Sequence, residues 1–196
     1  MILRLGLTFA ILSFVIPSAR GDNPAVKVGT NAPAFTIQNQ NGRNVTLREF
    51  IGKIVVLEWF DPDCDYTKRD ILAGTSKTLS EKYQEKGVVW LAIDSTRDSS
   101  GERDTAWRAQ NQWTFDVLHD ANKAVAKAFG VNMVPYFAIV NQNGTVVYLG
   151  IGDNDDSRKG EKKEGKINLV DKALEELTAG KAVSARDSRP YGCPLR

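Results

Sequence analysis

The chain has 196 residues, of which 42% are hydrophobic and 26% charged, with 26 Lys and Arg against 24 Asp and Glu. This length suits one domain with a full-sized core, and the composition is ordinary for a soluble globular protein. The near balance of charge excludes a globally basic protein that binds nucleic acid or an anionic membrane, and we expect neither as a partner.

The first 21 residues have the pattern of a secretory signal peptide. Arg4 precedes an apolar run over residues 5–16, and Ala-Arg-Gly at residues 19–21 resembles a small-residue cleavage site. The run is shorter than the roughly 20 residues that span a bilayer, and an uncleaved anchor is the alternative. We therefore expect export, to the periplasm or the medium, with no membrane contact beyond the signal segment.

Two short strands and a long one are predicted in the first third of the mature chain. Alternating apolar residues predict strands near residues 35–37 and 45–47, joined by a turn at Asn41-Gly42. "LREFIG" predicts one helical turn that ends at Gly52. "KIVVLEWF", residues 53–60, is a continuous apolar run, which is typical of a central strand covered on both faces.

A single helix is predicted after this strand, over residues 64–87. Leu72, Leu79 and Tyr83 would share its buried face. Gly74 lowers the helix propensity of the interior and is expected to weaken or bend the helix.

The middle of the chain continues to alternate strands with helices. A buried strand over residues 88–95 precedes a polar helix anchored by Trp107 and a short strand ending near His119, the one histidine of the sequence. Because it lacks a nearby cysteine or second histidine, His119 makes a poor zinc or copper site and is expected at the surface. A compact helix follows, with Asn122 as a candidate N-cap and Gly130 at its end.

The C-terminal third begins with a hairpin whose turn is Asn143-Gly144. Residues 153–166 contain no apolar side chain and are predicted to form a flexible, solvated loop. The tail, residues 181–196, is expected to be irregular. Between loop and tail lies an amphipathic helix, with one face formed by Leu169, Val170, Ala173, Leu174 and Leu177.

This order of elements predicts an α/β domain over residues 22–180, with a mixed central sheet and helices on both faces. Functional residues of such sheets gather at the carboxyl ends of the central strands. Cys64 lies there, between the end of one strand and the start of a helix.

Cys64 is the strongest candidate for chemistry. A thiol in the first turn of a helix lies near free backbone N–H groups and the positive end of the helix dipole, and Lys68 adds positive charge one turn later. Asp61, Asp63 and Asp65 oppose this effect, so the direction of the net pKa shift stays open. The polar surroundings favour a partly exposed thiol over a core cysteine.

Two acidic patterns, at residues 61–65 and 153–157, have the spacing of the first ligands of a calcium loop. Both lack the turn glycine of such a loop, and the first also has Leu72 where the final glutamate is needed. We therefore predict no metal site, and the sequence indicates no cofactor.

Two long segments resemble a known family. "VGTNAPAFTIQNQNGRNVTLREFIGKIVVLEWFDPDC" and "DVLHDANKAVAKAFGVNMVPYFAIVNQNGTVVYLG" are similar to the two halves of thioredoxin-like redoxins. That family includes peroxiredoxins of the alkyl hydroperoxide reductase/thiol-specific antioxidant type and exported thiol–disulfide oxidoreductases. The resemblance covers roughly residues 26–152 and implies a thioredoxin-like fold; "RPYGC" also resembles the tail of an exported redoxin subgroup.

The resemblance assigns roles to four residues. Cys64 matches the attacking cysteine, and Pro135 matches a cis-proline that lies against the active-site sulfur. Val134 would offer backbone groups to an extended substrate. Glu58 matches a buried acid that carries protons for the thiols. The alternatives are an ordinary trans bond before Pro135 and a Glu58 carboxylate satisfied by a nearby lysine.

The sequence also departs from the family pattern. Thr67 stands where a C-x-x-C motif has its second cysteine, so a dithiol cycle within the motif is excluded. The peroxiredoxin motif has Thr or Ser three residues before the cysteine and a proline further upstream, where this chain has Asp61 and Leu57. Thr67 is expected either to donate a hydrogen bond to a Cys64 thiolate or to cap the helix.

Three functional hypotheses follow. In the first, Cys64 attacks a protein disulfide or a small peroxide, Cys193 of the tail resolves the product, and a thiol reductant regenerates the pair. In the second, the chain is a redox-inactive module that binds an extended peptide near Pro135. In the third, Cys64 and Cys193 form a permanent structural disulfide.

Overall fold

The computed structural model describes residues 26–157, 165–184, 188 and 191–195, so the predicted signal segment 1–21 lies outside the described residues. Within these ranges the strands are β1 (Thr36–Gln38), β2 (Asn44–Thr46), β3 (Ile54–Phe60), β4 (Val88–Asp94), β5 (Asp116–His119), β6 (Met133–Val134), β7 (Tyr136–Val140), β8 (Val146–Gly150) and β9 (Cys193–Pro194). The α-helices are α1 (Asp65–Leu72), α2 (Thr75–Gln84), α3 (Gly101–Gln110), α4 (Ala124–Phe129) and α5 (Leu169–Thr178).

The central sheet has five strands in the order β5-β4-β3-β7-β8. β4 runs parallel to β3 and β5 parallel to β4, whereas β7 is antiparallel to β3 and β8 to β7, so the sheet is mixed as predicted. β3 is buried along its whole length, as its continuous apolar run predicts. Side chains of α4 pack on one face of the sheet and those of α2 and α5 on the other, which confirms helices on both faces.

Most local predictions are confirmed. The Asn41-Gly42 turn joins β1 to β2, a short 3-10 helix spans Leu47–Phe50, and Gly130 ends α4 with a left-handed backbone. The cap of α4 differs, because the helix starts after Lys123 and Asn122 instead accepts a hydrogen bond from the Ala124 N–H. In the described ranges no helix is both long and apolar enough to cross a membrane.

The predicted helix over residues 64–87 is two helices. Gly74, with φ of 68°, takes a left-handed conformation between α1 and α2 and interrupts the helical phase. Leu79 and Tyr83 are buried as predicted, but Leu72 is 88% exposed. The prediction for Leu72 is wrong because it assumed an unbroken helix, in which residues seven apart share a face.

This difference gives a matched pair of leucines. We expect Leu79→Ala to lower the free energy of unfolding by about 2–5 kcal/mol, because it leaves a cavity against the sheet. Leu72→Ala should change it by less than about 0.5 kcal/mol, because this side chain is already in solvent. Urea unfolding of both variants measures the difference, and equal losses would contradict the broken helix.

Two C-terminal predictions are wrong. The tail is not irregular throughout, since β9 pairs antiparallel with β6 as a second small sheet. The segment after β8 is not fully solvated: Asp153 and Asp155 are 4% and 1% exposed, whereas residues 158–164 lie outside the described ranges. Val183, beyond the predicted boundary at residue 180, is buried in the core. The chain thus folds back over the carboxyl end of β3.

Candidate functional site

The bend between β3 and α1 positions Cys64. Asp61 accepts a hydrogen bond from the Asp63 N–H through Oδ1 at 2.8 Å, and its own N–H donates to Thr67 Oγ1 at 3.5 Å. These contacts hold the bend against the first turn of the helix. Cys64 is the N-cap residue of α1, and its carbonyl accepts from the Lys68 N–H. Its sulfur therefore lies at the positive end of the helix.

Cys64 and Cys193 form a disulfide that joins positions 129 residues apart, with their Cα atoms 5.8 Å from each other. In this oxidised state Cys64 is 2% exposed and packs with the core, so the expectation of a partly exposed thiol is wrong. The tail strand β9 and Leu195 pack over this part of the core, which local sequence around Cys64 does not reveal.

The loop before β7 lies against the disulfide. The Val134–Pro135 bond is cis, as predicted, and Cys64 Sγ is 3.4 Å from the Val134 carbonyl oxygen. Val134 is also the register partner of Cys193 in the β6–β9 pair. An extended segment of this chain therefore occupies the position at which Val134 was predicted to meet an extended substrate.

The surrounding charged residues have other contacts than the sequence indicated. Asp63 is exposed and pairs with Arg103, while Lys68 Nζ donates to the Asp63 carbonyl oxygen. His119 is not fully at the surface, because its side chain is 24% exposed and its Nδ1 lies 3.8 Å from Asp104 Oδ2. No cluster of three or more His, Cys, Asp or Glu side chains in the described residues has the arrangement of a metal site.

Glu58 is a buried acid, as the resemblance implied. The hydrogen-bond donors to its carboxylate are not a lysine, as the alternative had it, but a serine and a tryptophan. Ser76 Oγ and Trp90 Nε1 donate to its carboxylate at 2.6 and 2.7 Å. Burial raises the pKa of Glu58 to about 7, and the two hydrogen bonds oppose this rise only in part. Because side chains alternate along β3, Glu58 faces the side opposite the cluster that contains Cys64. Its role as a proton carrier stays a prediction.

The raised pKa of Glu58 makes stability depend on pH. The folded state holds this proton more tightly than the unfolded state, so the contribution of Glu58 to stability is complete below pH 4.5 and falls as the pH rises through 7. We expect Glu58 to account for about 3 kcal/mol of this fall. Glu58→Gln should reduce the change in the free energy of unfolding between pH 4.5 and 8, as measured with urea. The pH dependence that remains should come from groups such as Asp70 and Asp104, whose pKa values are also raised. Parallel curves for the two proteins would contradict this assignment.

A buried ionic cluster beside the disulfide was missed by sequence reasoning. Arg69 of α1 pairs with Asp70 at 2.8 Å and with Asp153 at 3.3 Å, and its Nη1 donates to the Asp155 carbonyl oxygen. Lys166 pairs with Asp153 at 2.9 Å. Arg69 and Lys166 thus form ion pairs with Asp153 and Asp155, the two carboxylates whose spacing resembles that of a calcium loop. The arrangement fixes the segment after β8 to α1.

Tyr191 connects this cluster to the tail. Its hydroxyl donates to Asp153 Oδ1 at 2.5 Å and accepts from Arg69 Nη2 at 2.9 Å, two residues before Cys193. The one local signal for this contact in the sequence is the aromatic residue of "RPYGC". Its partners Arg69 and Asp153 precede Tyr191 by 122 and 38 residues, so local sequence does not indicate them. The site thus comprises the disulfide, the cis-proline loop and a buried polar anchor for the tail.

A mixed sheet with helices on both faces, a cysteine at the end of its central strand and a facing cis-proline loop together define a thioredoxin-like redoxin. The model of the AhpC/TSA family matches residues 28–149. The chain belongs to the AhpC/TSA family.

Individual proteins are similar to this chain in sequence or in fold. The thiol-disulfide oxidoreductase ResA of Bacillus anthracis is 25% identical over 134 residues, which are 67% of this chain and 74% of ResA. A solved hypothetical protein from Sinorhizobium meliloti 1021 is 24% identical with a TM-score of 0.74, covering 88% of this chain and 95% of that one. An uncharacterized conserved protein from Geobacillus kaustophilus is 25% identical with a TM-score of 0.75, covering 88% and 96%.

Proposed function

We propose that this protein is a thiol-dependent oxidoreductase in which Cys64 is the attacking thiol and Cys193 the resolving thiol. The observation that carries the proposal is the Cys64–Cys193 disulfide beside the cis Val134–Pro135 bond. The similarity to ResA, a thiol-disulfide oxidoreductase, supports the same chemistry. The position of Cys64 at a helix N-terminus supports a thiolate once the disulfide is reduced.

The reaction on a disulfide substrate proceeds in two exchanges. The Cys64 thiolate attacks one substrate sulfur, so a Cys64–substrate bond forms, the substrate disulfide breaks, and the other sulfur leaves as a thiolate that takes up a proton. The Cys193 thiolate then attacks Cys64 Sγ, forms the observed disulfide and releases the second substrate thiol. Two electrons pass to the substrate, and an external thiol reductant restores the protein dithiol.

A protein disulfide is the substrate that the geometry supports best. The pairing of Val134 with Cys193 provides a backbone position for an extended polypeptide next to the Cys64 sulfur. Membership of the AhpC/TSA family supports peroxide as a second substrate class. In that reaction the Cys64 thiolate attacks the peroxide and becomes a sulfenic acid, and the other peroxide oxygen leaves as an alcohol or as water. The Cys193 thiol then condenses with the sulfenic acid to give the same disulfide and water.

The test is steady-state reduction of an oxidised model protein or of hydrogen peroxide, with dithiothreitol as the electron donor. We expect protein-dependent turnover that requires both cysteines and is faster with the disulfide. If the protein turns over neither the oxidised protein nor the peroxide, the proposed enzymatic function is wrong. The redox-inactive peptide-binding module would then be the remaining hypothesis. A disulfide that dithiothreitol does not reduce would instead favour the structural alternative.

Export is part of the proposal. Disulfides form readily in an oxidising compartment, and the segment over residues 1–21 has the pattern of a cleaved signal. The expected mature chain begins at Asp22 and is periplasmic or secreted. Cell fractionation and N-terminal sequencing test this, and intact chain that keeps residues 1–21 in the membrane fraction would contradict cleavage.

A further inference from the structure

The tail residue Tyr191, two residues before Cys193, makes a defined set of ring and hydrogen-bond contacts. Its ring centroid lies 5.3 Å from that of Tyr66, and the guanidinium carbon of Arg69 lies 5.5 Å from the Tyr191 centroid. Its hydroxyl meets Asp153 and Arg69 as described above. We call Tyr66, Arg69 and Asp153 the tyrosine socket.

The socket has the features of a specific recognition site. With Tyr191 in place, Arg69 and Asp153 are 7% and 4% exposed, and Asp70 and Lys166 hold them through further ion pairs. Burial and the neighbouring Asp153 carboxylate raise the pKa of Tyr191, so the phenol stays a hydrogen-bond donor at physiological pH. Hydrogen bonds to charged groups in a buried setting discriminate strongly between a hydroxyl and its absence.

Gly192 adds a second constraint. Its φ of 141° lies in a region that favours glycine, and a Cβ at this position would overlap the Val134 carbonyl oxygen. The backbone between Tyr191 and Cys193 therefore approaches the cis-proline loop more closely than a residue with a side chain allows.

We propose that the tail occupies the site of the substrate polypeptide, and that the protein prefers substrates with tyrosine two residues before the reacting cysteine and glycine between them. The inference rests on the proposed function. During exchange, the substrate sulfur replaces Cys193 on Cys64, because one sulfur forms one disulfide at a time. A substrate strand that pairs with Val134 in the register of β9 then brings its own residues to the socket and to the close approach.

The test uses the full chain with Tyr191→Ala and Cys193→Ser, which empties the socket and removes the competing thiol. The probe is a pentapeptide with the sequence of residues 191–195, its cysteine carried as a mixed disulfide with thionitrobenzoate. Attack of Cys64 on the peptide sulfur forms the protein–peptide disulfide and releases the coloured thionitrobenzoate, so absorbance gives the rate. Two matched peptides carry alanine in place of the tyrosine or of the glycine.

We expect the native peptide to react roughly tenfold or more faster than either alanine peptide. With Cys193→Ser alone, its advantage should shrink, because Tyr191 then competes for the socket. Rates for the three peptides within about twofold of each other would overturn the inference. The inference would also be overturned if none of the peptides reacted while the small symmetric nitrobenzoate disulfide still reacted with Cys64. That result would leave the proposed function standing. Inertness toward that reagent too would overturn both.

Discussion

Replacing Cys64 with serine should lower the thiol-dependent reduction of an oxidised model protein by at least about a thousandfold. The serine hydroxyl is not ionised at neutral pH and does not attack sulfur. In contrast, a helix N-terminus favours the thiolate form of a cysteine, and Cys64 lies at the N-terminus of α1. The measurement is steady-state turnover with dithiothreitol, corrected for the rate without protein. Retention of more than about half of the activity would mean that Cys64 is not the attacking thiol.

Cys193→Ser is the matched control, because it removes the other half of the same disulfide. The first exchange at Cys64 should survive in this variant, so a protein–substrate mixed disulfide should accumulate and be visible by non-reducing electrophoresis. Sustained turnover should fall to the rate at which dithiothreitol itself resolves that intermediate. Equal losses at the first step in both variants would point to a structural disulfide.

Arg69→Met should cost about 3–5 kcal/mol of unfolding free energy at pH 8, the largest stability effect we expect from a single charge. Arg69 is the buried cation that pairs with Asp70, Asp153 and Asp155. Its loss removes the ion-pair partner of Asp70, while Lys166 still pairs with Asp153 and Asp155. Urea unfolding measures the loss. It should be smaller at pH 5, because burial already raises the pKa of Asp70 to about 6 and its freed carboxylate takes up a proton.

Lys77→Met is the comparison for Arg69→Met. Lys77 makes an exposed pair with Glu81 one helical turn away, so its removal should cost less than about 0.5 kcal/mol. The contrast tests whether burial of the charge, rather than charge itself, sets the effect. A loss below about 1 kcal/mol for Arg69→Met at pH 8 would contradict the role of Arg69 in holding the segment after β8 and the tail.

The sequence predicts the fold well because its main strands and turns are encoded locally. The apolar run of β3, the Asn143-Gly144 turn and the cysteine at the end of β3 each follow from a few neighbouring residues. The cis bond before Pro135 was predicted only through the resemblance, since most X–Pro bonds are trans.

The parts that the sequence did not reveal depend on distant partners. Asp153 and Asp155 looked solvated because no apolar residue surrounds them, and their burial depends on Arg69, more than 80 residues earlier. The exposure of Cys64 was misjudged for the same reason, since the covering strand β9 comes 129 residues later. Periodicity and propensity carry no information about such contacts.

The most direct test of the account is the fate of the two thiols after a single oxidation. The reduced full chain is mixed with one equivalent of an oxidised model protein, quenched with an alkylating reagent at successive times and mapped by mass spectrometry. We expect the Cys64–Cys193 disulfide to form faster than free cysteine reacts with the same oxidant, and dithiothreitol to reopen it. A Cys64 thiol no more reactive than free cysteine, or a disulfide that dithiothreitol leaves closed, would contradict the assignment of Cys64 and Cys193 as a catalytic pair.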